Sequence, residues 1–375
     1  MKILFTTYIY PYPERGYNPG IERVIQESAR ALSDQGNEVH VVTTYRNGGT
    51  KKEEKDGEIH LHRVSDTRRY LGRLGGLFSI DFISLNYSLA GYSDLIESSD
   101  IVHTFTPIFW KFFDTPLISH YHHWDDPEEF VQYLYLPFYQ KLLMRCYEQS
   151  DRIIAVSEYS KQDLVARGIK EQQIYVIPNG VDTDIYYPGE SSLDFEWETT
   201  LLYVGPLIER KGIEYLLRAM PTVLSENSDV GLVLVGKGKS EELKQLSEDL
   251  EIENHVRFEG FVPESQLPEY YRASDVFVFP SLLEGFGMVL LEAMASGLPV
   301  ISTKISAIPE VVGDAGILVE PRNVERLASE IVCILSDLKM DELSENSKSR
   351  VENEFTWQDT ADLLTENYEE VIENS

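Results

Sequence analysis

Glu284 and Glu292, eight positions apart, enclose the run Gly285-Phe286-Gly287-Met288 within SLLEGFGMVLLEAMASG at 281–297. Carboxylates so placed can accept hydrogen bonds from vicinal hydroxyls, a sugar at one and a ribose at the other. A helix that begins beside glycines leaves backbone N–H groups free for an anion and lets its oxygens come close. In the plainer alternative, Glu284 caps the helix and Glu292 is a solvated glutamate. Two glycines flanking Phe286, whose ring is expected to be exposed, favour a ligand. A second loop, GPLIERKG at 205–212, sets Arg210 beside Lys211 at a strand-to-helix turn. Arginine offers a planar fork and lysine a compact charge, and both suit a diphosphate. Gly236 and Gly238 close another strand and read as a tight turn.

Four of the eight histidines are His103, His120, His122 and His123. Zinc takes imidazole, but a closed site needs four ligands. No thiolate is near, Asp125 and Asp126 are the only local carboxylates, and neighbours His122 and His123 diverge on an extended chain. Contact with a sugar is the favoured reading, a structural cluster the alternative. The loop PGIER at 19–23 opens a helix, where Gly20 admits a ligand and free N–H groups favour negative charge. Asp182-Thr183-Asp184 spells a metal–diphosphate motif, but after Asn179-Gly180 it reads as a turn, and no metal is expected.

These residues need elements to hold them. Short apolar runs alternate with helical periods, giving expected strands at 2–7, 39–44, 59–64, 101–105, 117–120, 152–156 and 175–177. A helix at 21–32 buries one side, from Ile21 through Val24, Ile25, Ser28 and Ala29 to Leu32, and Gly36 stops it. The pattern starts afresh with strands at 201–204, 231–235, 256–258, 276–279, 299–302 and 317–319. Such alternation implies α/β architecture, two Rossmann-like, doubly wound parallel-sheet domains facing across a cleft. Ligands belong at the carboxyl ends of the strands. The expected domains are 1–185, 186–355 and a closing helix at 356–375 that packs back on the first.

The chain has 375 residues, 63 acidic against 33 basic, and a formal charge of −30. That length suits two domains. The charge repels polyanions, so nucleic acid is not an expected partner. No run approaches the ~20 apolar residues of a membrane span, and the amino terminus lacks a cleavage pattern. Cys146 and Cys333 are expected to be free, buried thiols of a cytoplasmic protein. The basic and apolar segment 68–78 reads equally as a mobile surface loop or as a contact with an anionic membrane or lipid phosphate. Tyr133 to Tyr139 reads as a buried or cleft-lining helix.

The chain resembles the retaining GT-B glycosyltransferases of family 4, which include glycogen-synthase-like, sucrose-phosphate-synthase-like and mannosyltransferase enzymes. The resemblance is carried by PGIERV at 19–24, VSEYSK at 156–161, IPNGVDTDIYYP at 177–188 and YVGPLIERKG at 203–212. FEGFVP at 258–263, YRASDVFVFPS at 271–281, EGFGMVLLEAMASGLPV at 284–300 and FTWQDTADLLTENYEEV at 355–371 continue it in the family's order.

The resemblance implies a hexose transferred from a UDP-, GDP- or other nucleotide-diphosphate sugar, without a metal. The acceptor would be a glycan, a lipid-linked sugar or a polyprenyl phosphate, met in the cytoplasm or at the membrane face. It implies that Glu292 holds the ribose and Glu284 the sugar, and that the backbone of Phe286, Gly287 and Met288 meets sugar and distal phosphate. Lys211 would neutralise the diphosphate, Phe261 and Val262 frame the base, and His122 contact the reacting sugar. Where the family has arginine this chain has Pro206, and Arg210 is the candidate replacement. Pro19 stands where the family often has the first of two glycines. Glu284 as a covalent nucleophile is the chemical alternative to a front-face reaction. A hydrolysing nucleotide-sugar epimerase and a non-catalytic glycan-pathway scaffold are the other functional alternatives, and a nicotinamide enzyme lacks its Gly-x-Gly-x-x-Gly fingerprint.

Overall fold

Branched and aromatic residues in short runs make strands buried on both faces, as parallel sheets require. The computed structural model describes residues 1–7, 10–11, 20–45, 52–65, 85–86, 88–106, 108, 113–122, 141, 143–336 and 339–375. They form two units, Met1–Pro178 with Trp357–Ser375, and Asn179–Thr356.

The first unit is built on β1 (Lys2–Thr6), β2 (Glu38–Tyr45), β3 (Lys52–Asp56), β4 (Ile59–Ser65), β5 (Ile101–Thr104), β6 (Leu117–Tyr121), β7 (Arg152–Ala155) and β8 (Ile174–Val176). Their order across the sheet is β3-β4-β2-β1-β5-β6-β7-β8, parallel except for the hairpin of β3 with β4. Strand β3, Lys-Glu-Glu-Lys-Asp, escaped the apolar pattern because it is an edge strand, where charge blunts unwanted pairing. Two of its carboxylates, Glu54 and Asp56, turn inward to useful partners. Glu54 pairs with the fully buried Arg63 at 3.0 Å, and Asp56 accepts from Tyr10 at 3.0 Å and Gln26 at 2.8 Å.

The helix Gly20–Asp34 buries Val24, Ile25, Ser28, Ala29 and Leu32, the expected stripe, and Gly36 follows it at φ +85°. Ile21 departs from that expectation: in the first turn it stays 42% exposed. The helix Trp357–Glu373 lies on this unit, with Ala361, Leu364, Tyr368 and Val371 buried. Arg152 fastens it, donating to Asn367 Oδ1 at 2.6 Å and Glu370 Oε2 at 2.8 Å.

The second unit has six parallel strands, β9 (Thr199–Val204), β10 (Val230–Val235), β11 (Val256–Gly260), β12 (Val276–Phe279), β13 (Val300–Thr303) and β14 (Ile317–Val319). They are ordered β11-β10-β9-β12-β13-β14, so β9 and β12, which precede the two candidate loops, are central neighbours. Residues 179–185 belong with this unit, tied by Val181 N–H to Phe355 O at 2.9 Å. Cys146 is buried, and burial pushes its thiol up to about 12. Cys333 is exposed, contrary to expectation, because it falls between Ile331 and Ile334 on the outer face of the helix Val324–Ser336. Among the described residues no helix is long and apolar enough to cross a membrane.

Candidate active site

The loops after β9 and β12 are stitched to each other. Leu282 N–H donates to Arg210 O at 2.8 Å, and Arg210 Nη1 returns a bond to Leu283 O at 2.8 Å. Gly212, at φ +67°, allows this approach, since a Cβ there would sit 2.1 Å from Pro280 O. The stitching places Lys211 Nζ in an ion pair with Glu284 Oε1. Ser281 Oγ donates to the same oxygen at 3.1 Å, and the Lys211 ammonium lies 5.1 Å from the centre of the Phe279 ring. Lys211 and Glu284 are each only 8% exposed, so a charged pair stands nearly dry at the carboxyl edge of the sheet. Burial and the Glu284 charge also raise the Tyr203 phenol well above its ordinary value. Its hydroxyl donates to Pro206 O at 3.0 Å, bracing the loop that follows β9.

The helix carrying Glu292 begins only at Met288, after Gly287 at φ +99°. Glu284 is therefore a loop residue, and the two carboxylates do not share a helix face. Glu292 is buried and accepts from the Tyr271 hydroxyl at 2.8 Å. Phe286 corrects another expectation. It is 6% exposed and packs edge-on against Phe355, with ring centres 6.1 Å apart. Gly236 and Gly238 serve close backbone approach, because added Cβ atoms would lie 1.8 Å from Gly205 O and 2.2 Å from Leu207 O. Beside them Lys237 Nζ sits 4.4 Å from the centre of the Phe261 ring, which is 37% exposed, while Val262 is buried.

In the first unit, Gly20 is the first residue of its helix, and a Cβ there would meet nothing within 4 Å among the described residues. His122 follows β6 directly, its carbonyl accepting from Ser160 Oγ at 2.9 Å. Ser160 is itself held by the helix cap, donating N–H to Ser157 Oγ at 3.0 Å. The His122 ring stacks on His120 at 4.6 Å, and Phe105 stacks against both His120 at 4.8 Å and His103 at 4.5 Å. His103 Nδ1 meets the Tyr368 hydroxyl at 2.6 Å, and His103 Nε2 meets His120 Nδ1 at 3.2 Å. Burial, with the charge of His122 second, lowers His103 to about 3 and His120 well below its ordinary value. Sequence reasoning overlooked Tyr368, which lies 265 positions from His103 and in no motif with it. It likewise overlooked Tyr271 as the partner of Glu292, although YRASD stood inside the resemblance.

Asp182 Oδ1 accepts the N–H of Asp184 at 2.9 Å and of Ile185 at 3.2 Å, the geometry of a turn. Among the described residues no group of three or more His, Cys, Asp or Glu is disposed to hold a metal. Pro19, His123, Asp125, Asp126 and the segments 68–78 and 133–139 lie outside the described residues.

A family profile described as Glycosyltransferase Family 4 matches residues 19–185, and one described as Glycosyl transferases group 1 matches 198–337. An uncharacterized glycosyltransferase of Methanocaldococcus jannaschii is 34% identical over 228 residues, 57% of this chain and 58% of that protein. A GDP-mannose-dependent alpha-(1-6)-phosphatidylinositol monomannoside mannosyltransferase of Mycobacterium tuberculosis is 30% identical over 219 residues, 54% of this chain and 57% of that one. The chain thus spans less than two thirds of the length of either relative. Among solved structures, sucrose-phosphate synthase from Thermosynechococcus elongatus superposes with a TM-score of 0.80 at 21% identity, over 100% of both chains. Two family profiles in sequence order and two parallel-sheet units of matching architecture lead to one assignment: the chain belongs to the group 1, family 4 glycosyl transferases and has the GT-B fold.

Proposed function

We propose that the chain is a retaining glycosyltransferase that moves a hexose from a nucleotide-diphosphate sugar to a hydroxyl or phosphate of a glycan, lipid-linked sugar or polyprenyl phosphate. The observation that carries this reading is the nearly dry Lys211–Glu284 pair, held where two glycine loops meet at the carboxyl edge of β9 and β12. A cation there can meet the diphosphate while the carboxylate accepts from sugar hydroxyls. Gly287 and Met288 bring helix N–H groups to the distal phosphate. Glu292, oriented by Tyr271, takes the ribose hydroxyls, and Phe261 and Val262 border the base. The role of Arg210 includes fixing the loop of Glu284 through Leu283 O.

In the reaction the bond from sugar C1 to the diphosphate oxygen breaks, and a bond from C1 to the acceptor oxygen forms on the same face. The acceptor proton passes to the departing phosphate oxygen, so no protein carboxylate is consumed as a nucleophile. Negative charge gathers on the diphosphate, where Lys211 and backbone N–H groups stabilise it without reorganising. The family resemblance assigns His122 and the helix start at Gly20 further hydrogen bonds to the donor. The mycobacterial relative is named for GDP-mannose and a phosphatidylinositol mannoside, which supports a lipid-linked acceptor.

The test is a screen of UDP- and GDP-sugars for release of nucleoside diphosphate, with and without glycan and lipid-phosphate acceptors, followed by the anomeric configuration of the product. Acceptor-dependent release with retained configuration is expected. Release of free sugar without an acceptor would move the reading to a hydrolysing epimerase, and failure to bind any nucleotide would leave a scaffold.

A further inference from the structure

The buried line from Tyr368 through His103 to His120 has hydrogens that can be counted. The phenol has one, and each neutral imidazole has one. Burial keeps both imidazoles neutral near pH 7. Each imidazole therefore donates from one nitrogen and accepts at the other, and the line can run in only two orders. In the first, the Tyr368 hydroxyl donates to His103 Nδ1, His103 Nε2–H donates to His120 Nδ1, and His120 keeps its hydrogen on Nε2. In the second every hydrogen is reversed. His120 Nε2 has no hydrogen-bond partner among the described residues. Either order thus leaves one hydrogen without an acceptor, at His120 in the first and at Tyr368 in the second, and that cost does not choose between them.

Acid and base strength do choose. A phenol is a stronger acid than a neutral imidazole, and an imidazole nitrogen is a stronger base than a phenol oxygen, so the bond at Tyr368 is better when oxygen donates. Phe105, stacked on both imidazoles, keeps the rings from rotating out of line.

We infer that Tyr368 is a positioning residue: through His103 its hydroxyl holds His120 in the Nε2–H form, and the ring so fixed carries the His122 ring stacked on it at 4.6 Å. The consequence for turnover rests on the transferase reading, but the order of hydrogens does not.

The test uses the full chain with 15N-labelled imidazoles and long-range proton–nitrogen correlation. His103 and His120 are both expected to carry hydrogen on Nε2. In Tyr368→Phe the reversed order becomes populated and His120 Nδ1–H appears. Where transfer is measured, this variant loses about tenfold or more in kcat at unchanged donor KM. His103→Gln can accept from Tyr368 and donate to His120, so it restores the Nε2–H form and most of the turnover, whereas His103→Leu does neither. Hydrogen on His120 Nδ1 in the parent, or identical tautomers in Tyr368→Phe, overturns the inference. Full transfer by His122→Ala would instead remove the functional role of His122 and leave the tautomer result standing.

Discussion

Lys211 and Glu284 neutralise each other where little water reaches, so removing one member strands the other. Lys211→Met is expected to lose about 3 kcal/mol of stability, read by urea denaturation, because an unpaired buried carboxylate remains. Adding Glu284→Gln should recover most of that loss; equal stability of the single and double variants would contradict the pairing argument. His103 gives a second prediction at this scale. Its folded value of about 3 lies below the ordinary 6.5, so the unfolded chain binds the proton first. The stabilising contribution is complete above pH 6.5 and declines as pH falls toward 3. Urea midpoints at about pH 7.5 and pH 4.5 should differ less in His103→Gln than in the parent. Parallel declines would show that other groups govern the acid limb.

Elements show why some of this was legible in advance. Strands such as Val276–Phe279 declare themselves because both faces are buried and every residue is apolar or aromatic. Strand β3 did not, because its worth lies in charged contacts to Arg63, Tyr10 and Gln26 that no periodicity encodes. The glycine loops were visible, but the 73-position contact of Lys211 with Glu284 depends on two loops closing on each other. Phe286 misled because glycine neighbours suggest exposure, while the ring had a distant partner in Phe355. Loop closure supplies its own prediction. Gly212→Ala places a methyl group against Pro280 O at a positive φ, and should cost more than about 2 kcal/mol. Gly20→Ala meets nothing within 4 Å among the described residues and should change thermal stability little; similar losses at both positions would refute the steric account.

The whole molecule carries a formal charge of −30, and like charges oppose compaction. Raising monovalent salt from roughly 20 to 500 mM shortens the screening length from about 20 to about 4 Å. The melting temperature of the parent is expected to rise across that range, and a fall would mean that attractive surface pairs outweigh the net repulsion. At the same scale, the path of the backbone has a consequence for synthesis. Residues 179–356 form one uninterrupted unit, whereas the other is completed only by the helix Trp357–Glu373. A ribosome emits that helix after residues 179–356, so the later-made unit can finish folding while the earlier one still waits for the helix. During translation, until that helix emerges, the imidazole of His103 lacks its phenol partner.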